Sequence, residues 1–194
     1  MTVDEATLTP NQAARRARVL EAAMALAAAG GYDAVQMRDV ASSAQVALGT
    51  IYRYFASKDH LLAECQLDSW RTIHARLDQR PLEGATAADR VMDLIRRVMR
   101  QVEREPEQAA ALITASSSPD PAVRDCQAEM IAYQDAVLAS AMGDLDADRK
   151  ADIARTLRYV WFSVLLGWVN GWNDFAAITR EFEAATRLLL DDAP

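Results

Sequence analysis

Val19, Ala22, Ala23, Leu26 and Ala27 recur at i, i+3, i+4, i+7 and i+8, which predicts a helix with one apolar face. Thr9-Pro10 starts it, a capping hydroxyl followed by proline at the first helical position, and Gly30-Gly31 stops it. Met37, Val40, Ala41 and Ala44 repeat the period in a second, short helix, and a third is expected from about Ala47 to Phe55. Ser57 caps a fourth, with Asp59 in its first turn, running past Trp70 to about Gln79. After the break at Pro81-Leu82-Glu83-Gly84, Thr86 with Asp89 reads as a capping box. Val91, Leu94, Ile95, Val98, Met99 and Val102 then make an amphipathic stripe. Pro106 and Ser116-Ser117-Ser118-Pro119 bracket a shorter helix, and Asp120-Pro121 opens one that carries Val123, Cys126, Met130, Tyr133 and Val137 to Gly143. Two long helices, about Ala147–Gly171 and Asp174–Leu190, close the chain. The expected fold is all-α with about nine helices, since alternating β-branched runs and hairpin turn signals are missing.

Apolar residues make up 51% of the 194, so a packed core is expected. The longest apolar run, Val160 to Val169, is about half the ~20 residues that span a bilayer and reads as a core or interface helix, with no membrane association. Cys65 and Cys126 stand in no metal-like spacing and suggest reduced thiols in a cytoplasmic protein; neither metal nor cofactor is expected. The net charge of −7 argues against nucleic acid until its distribution is considered. Residues 1–60 hold six cations and six anions, and the rest hold 15 against 22. A neutral head on an acidic body is compatible with DNA binding if the cations cluster. Arg15, Arg16 and Arg18 do, either as a solvated face or as phosphate contacts.

Three short helices and a capped fourth within 60 residues fit a helix-turn-helix head, whose second helix enters the major groove N-terminal end first. That helix begins Ala47-Leu48-Gly49-Thr50, and its small residues allow close approach to DNA. With Val46, Ile51 and Phe55 inward, Leu48, Gly49, Thr50, Tyr52, Arg53 and Tyr54 are left outside. Leu48 suits a thymine methyl or the core, and Arg53 a guanine edge. The run Tyr32-Asp33-Ala34-Val35-Gln36-Met37-Arg38-Asp39-Val40-Ala41, then Val46 to Phe55, then Ser57-Lys58-Asp59-His60-Leu61-Leu62, resembles the N-terminal signature of the tetracycline-repressor (TetR) family. The resemblance implies phosphate roles for Thr50, Tyr52, Tyr54 and Lys58 and base contact near Leu48 and Gly49. Gln36 and Ala47 depart from the family pattern, each lacking a capping oxygen that also reaches phosphate. The expected DNA-facing set is Gln36, Met37, Arg38, Ala47, Leu48, Gly49, Thr50, Tyr52, Arg53, Tyr54 and Lys58. His60 and His74 have no partner spacing for metal or catalysis and read as structural or solvated.

A DNA-binding domain is expected over 1–56 and a ligand-binding and dimerisation domain over 57–194. Ser163, Gly167 and Gly171 form a small-residue stripe beside Trp161, and Phe175, Ile178, Phe182 and Leu189 an apolar seam; together they predict a homodimer interface. Trp70, Met92, Ile95, Met99, Leu112, Ile113, Met130, Tyr133, Val164 and Trp168 are expected to line a pocket for a small apolar effector, methionine suiting irregular ligands. More loosely, Gly31–Arg38 with Leu48–Tyr54 is similar to actinobacterial sterol-catabolism repressors of the KstR type, which implies a steroid or lipid acyl thioester. The function expected is a ligand-responsive repressor that binds a palindromic double-stranded DNA operator as a dimer. Against an all-helical enzyme, the sequence shows no glycine-rich phosphate loop, Cys/His ligand cluster or nucleophile–base pair, and a helical interaction module without DNA binding leaves Gly49 to Lys58 unexplained.

Overall fold

The computed structural model describes residues 8–77 and 79–191, and among them only helices form regular structure. These are α1 (Pro10–Ala34), α2 (Met37–Ser43), α3 (Leu48–Tyr54), α4 (Lys58–Leu77), α5 (Ala87–Arg104), α6 (Pro106–Ser116), α7 (Pro121–Ala141), α8 (Ala147–Val169) and α9 (Phe175–Leu190). Among the described residues, no helix is long and apolar enough to cross a membrane.

The chain divides into two compact units, one of Met1–Ser69 with Glu105–Glu129 and one of Trp70–Arg104 with Met130–Pro194. The first therefore reaches beyond residue 56 and takes in α6 and the start of α7. Its α1 begins with a capping box: Thr9 Oγ1 accepts from Gln12 N, and Thr9 N donates to Gln12 Oε1 at 2.8 Å. Gly30-Gly31 breaks the helix as expected, but one more turn follows the kink. Gly31 sits at φ +67°, ψ −158°, a backbone state essentially reserved for glycine. Beyond it, Val35, Val40, Ala41, Ala44, Ile51, Tyr54 and Phe55 share a core with Val19, Ala23 and Ala27 of α1 and Leu61, Leu62 and Cys65 of α4. Helix α6 lies along α1, adding Ala111, Leu112 and Ala115 to that core, while Gln108 Nε2 donates to Met24 O at 3.0 Å. Leu112, expected in the effector pocket, is thus core of the first unit. Ile113, buried on the same helix, belongs to that unit as well.

In the second unit α5 starts with the expected box, Asp89 N donating to Thr86 Oγ1 at 3.1 Å. The core is built from Val91, Met92 and Leu94 of α5, Val137 of α7, Leu157 of α8, and Ile178 and Phe182 of α9. Helix α8 ends two residues before the expected Gly171. Trp172 N donates to Gly167 O at 2.8 Å and Gly171 takes φ +72°, so the chain turns into α9, which Asp174 caps.

Candidate nucleic-acid interface

Helices α2 and α3 and the turn between them form the reading head. The turn closes through Val46 N donating to Ala41 O at 3.0 Å, with Gln45 in the left-handed region at φ 54°. Neither Gln36 nor Ala47 caps its helix through a side chain; Gln36 Nε2 donates instead to Asp33 O at 2.9 Å. Helix α3 turns Ile51, Tyr54 and Phe55 inward and leaves Ala47, Gly49, Tyr52 and Arg53 exposed, with Thr50 half-buried. Tyr52 is 53% exposed, and a side chain built at Gly49 would meet nothing within 4 Å. On α2, Arg38 is exposed, whereas Met37 and Leu48 are half-buried against the core. Gln36 is exposed.

Tyr54 corrects the expectation. It lies three residues after Ile51, hence on the same helix face, and only 6% of it is exposed. Its hydroxyl is buried without a hydrogen-bond partner, so it offers nothing to a phosphate. Arg53 stacks beside it, its guanidinium 5.8 Å from the ring centroid.

The Arg15, Arg16, Arg18 cluster also separates. Arg15 is exposed and Arg18 Nε donates to Ala44 O at 3.3 Å. Arg16 is buried, pairs with Glu64 at 2.5 Å and lies 5.6 Å over the Phe55 ring, so its charge serves the core. Its partner Glu64 also accepts from Cys126 Sγ at 3.4 Å and faces His60 Nε2 at 3.5 Å. Burial raises the Glu64 carboxyl, but the His60 ring, the Arg16 charge and the Cys126 thiol outweigh it and leave it below its ordinary value. Burial pushes both thiols up, Cys65 and Cys126, so they stay protonated. His60 Nε2, a Glu64 oxygen and Cys126 Sγ lie within 4.8 Å of one another, a donor set that suits a metal. The proton arrangement does not suit one. His60 Nδ1 accepts from Ala56 N at 3.0 Å, which places the ring proton on Nε2, and the Arg16 cation holds the other carboxylate oxygen.

Helix α4 begins at Lys58, capped by Ser57, whose Oγ accepts from His60 N at 3.1 Å and donates to Asp120 Oδ2 at 2.6 Å. Lys58 Nζ donates to Tyr32 O at 3.2 Å. Asp59 sits in the first turn of α4 as expected, and it also accepts from the Tyr32 hydroxyl, a contact that the pattern of either segment does not show. Their contact joins residues 27 apart, which no local periodicity reveals.

In the second unit, a cavity of about 20 Å³ is lined by Trp70, Leu94, Ile95, Gln134, Leu138, Leu157, Arg158, Trp161 and Phe182. Of the expected pocket residues only Trp70 and Ile95 border it. Met92, Met99, Met130 and Val164 are buried in the unit without lining it; Tyr133 packs edge-on against His74 and Trp168 against Phe175, each pair at 5.5 Å. Three of the expected interface side chains, Trp161, Ile178 and Phe182, are buried within their own chain, Trp161 meeting Phe182 edge-to-face at 5.5 Å. Gly167 is buried too, where a Cβ would collide with the Asn173 side chain. The small residue there serves the α8–α9 corner. Phe175 and Leu189 are half-buried, Ser163 and Gly171 exposed, and the large exposed apolar groups are Tyr159, Phe162, Trp172 and Leu188. A larger groove of about 370 Å³ in the first unit runs between α1 and α4, with exposed Glu21 and Asp68 on its rim, charges that do not suit an apolar occupant.

Comparison with known proteins places residues 19–65 in "Bacterial regulatory proteins, tetR family" and residues 84–189 in "Tetracyclin repressor-like, C-terminal domain". The chain is 35% identical over 182 residues to the HTH-type transcriptional repressor KstR of Mycobacterium tuberculosis, covering 93% of this chain and 83% of that protein. A TetR transcriptional regulator from Rhodococcus sp. RHA1 superposes with a TM-score of 0.82 at 29% identity, covering 95% of this chain and all of that one. The fold is also that of Thermus thermophilus FadR, a TetR-family repressor solved with lauroyl-CoA, at a TM-score of 0.71 and 22% identity, covering 90% and 92% of the two chains.

Proposed function

Because the chain belongs to the TetR family of bacterial transcriptional repressors, we propose that it binds a palindromic operator as a homodimer through α3 and is released by a largely apolar acyl thioester. The observation that carries this reading is the outer face of α3. Gly49 borders open space beside exposed Tyr52 and Arg53, on a helix whose other side is locked into the core. Gly49 lets the backbone approach the groove, Thr50, Tyr52 and Lys58 supply phosphate donors, and Arg53 reads a base edge. Arg38 adds a second cation from α2.

Dimerisation is assigned to the exposed face of α8, with Tyr159, Phe162 and Ser163, together with Leu188 of α9. Aromatic residues on such a face are what interface cores favour. The effector site is assigned to the cavity at Trp70 and Trp161. At about 20 Å³ it holds no more than a water, so an effector must displace its walls and bind a different arrangement more tightly than this one. Trp70 stands on the helix that starts at Lys58, which makes α4 the mechanical link. The lauroyl-CoA bound by Thermus thermophilus FadR, which shares this fold, supports an acyl thioester.

A mobility-shift titration on DNA flanking the protein's own gene, with and without steroid and fatty acyl thioesters of coenzyme A, tests the effector. A bound thioester should weaken the complex about 5- to 150-fold, the usual scale of allosteric coupling. Release by a small polar compound, with no thioester acting, contradicts the assignment.

A further inference from the structure

Lys58 is the first residue of α4, where the helix dipole opposes a cation. Its neighbour Tyr32 offsets that cost. The ammonium lies 3.6 Å from the centroid of the Tyr32 ring and donates to the Tyr32 carbonyl oxygen at 3.2 Å. Tyr32 is itself fixed, its hydroxyl donating to Asp59 Oδ1 at 2.5 Å. Burial, then the bond and charge of Asp59, push the phenol up to about 12, so it remains a neutral donor. Tyr32 reaches this place because Gly30-Gly31 redirects the chain just before it; a Cβ at Gly31 would also crowd Glu107 Oε2 at 3.1 Å.

We propose that Tyr32 is a positioning residue for DNA binding, its ring face and carbonyl holding the Lys58 ammonium beside the first turn of α4 for a phosphate oxygen. The inference rests on the phosphate role proposed for Lys58. An ammonium has three donors, and the carbonyl takes one, so phosphate and Tyr32 are served together. Holding the side chain before DNA arrives means its rotamer freedom is lost on folding and not on binding.

The test is fluorescence anisotropy on a labelled mixed-sequence duplex, since phosphate contacts are independent of sequence. Tyr32→Phe, which keeps the ring, is the reference. Tyr32→Leu removes the ring face, and pentafluorophenylalanine at position 32 keeps the ring shape but reverses its quadrupole, so it tests the contact even if the leucine variant fails to fold. Both should weaken binding about 2- to 10-fold, the scale of one immobilised side chain, and lower the salt slope toward that of Lys58→Ala. In the Lys58→Ala background neither should change anything, whereas a packing role alone would weaken both backgrounds equally. Fluorinated protein that binds as the reference does, while Lys58→Ala weakens binding, overturns the positioning role. If Lys58→Ala itself binds like wild type, the phosphate assignment falls and the inference with it.

Discussion

Glu64→Met is expected to cost about 3–5 kcal/mol of stability, because it strips a buried guanidinium of its carboxylate. Arg16 and Glu64 have side-chain exposures of 9% and 5%, and their contact joins α1 to α4 at the base of the reading head. The loss should come from the buried guanidinium losing this carboxylate and not from missing volume, so Arg16→Met/Glu64→Met together should recover most of it. Calorimetric melts of the three proteins decide this; a double variant as unstable as Glu64→Met would place the cost in packing instead. The pair also sets an acid limit. Glu64 titrates below its ordinary 4.5 when folded, so its contribution is complete above that pH and is lost as pH falls through the lower folded value. The double variant should lack that part of the acid limb.

Gly49→Leu is expected to leave the fold intact and abolish tight operator binding. The site is open, and exchanging glycine for leucine inside a helix favours the helix by up to about 1 kcal/mol. Stability should therefore hold or rise. The new side chain stands between α3 and the groove, so affinity should drop at least ~10-fold, the scale of one lost base-edge contact of about 1–3 kcal/mol. Paired melting and mobility-shift curves check both halves. Unchanged affinity would mean that another face of the head meets DNA.

The helices were legible because their apolar period and caps are local: Thr9 with Gln12, Thr86 with Asp89, and Asp174 each cap where the sequence placed a start. Partners were not. Periodicity says that Leu112 has a buried face but not that α6 lies along α1, so it was expected beside the wrong cavity. The stripe of Ser163, Gly167 and Gly171 has the same pattern whether it meets a second subunit or its own chain. Gly167 receives Asn173, and Gly171 is a turn at φ +72°. In the DNA-facing set, the motif named the residues of α3 while the three-residue step from Ile51 decided that Tyr54 points inward. The Arg16–Glu64 pair, 48 residues apart in sequence, left no local signal.

Two copies of α3 are expected to occupy successive major grooves of one operator. Dimethyl sulfate protection on DNA flanking the gene reads this directly, because guanine N7 lies in the major groove. Two protected clusters one helical turn apart are expected, about 10 base pairs between centres, with symmetry about their midpoint. Protection confined to a single half-site at full affinity, or guanines left fully reactive beneath a bound protein, would contradict it.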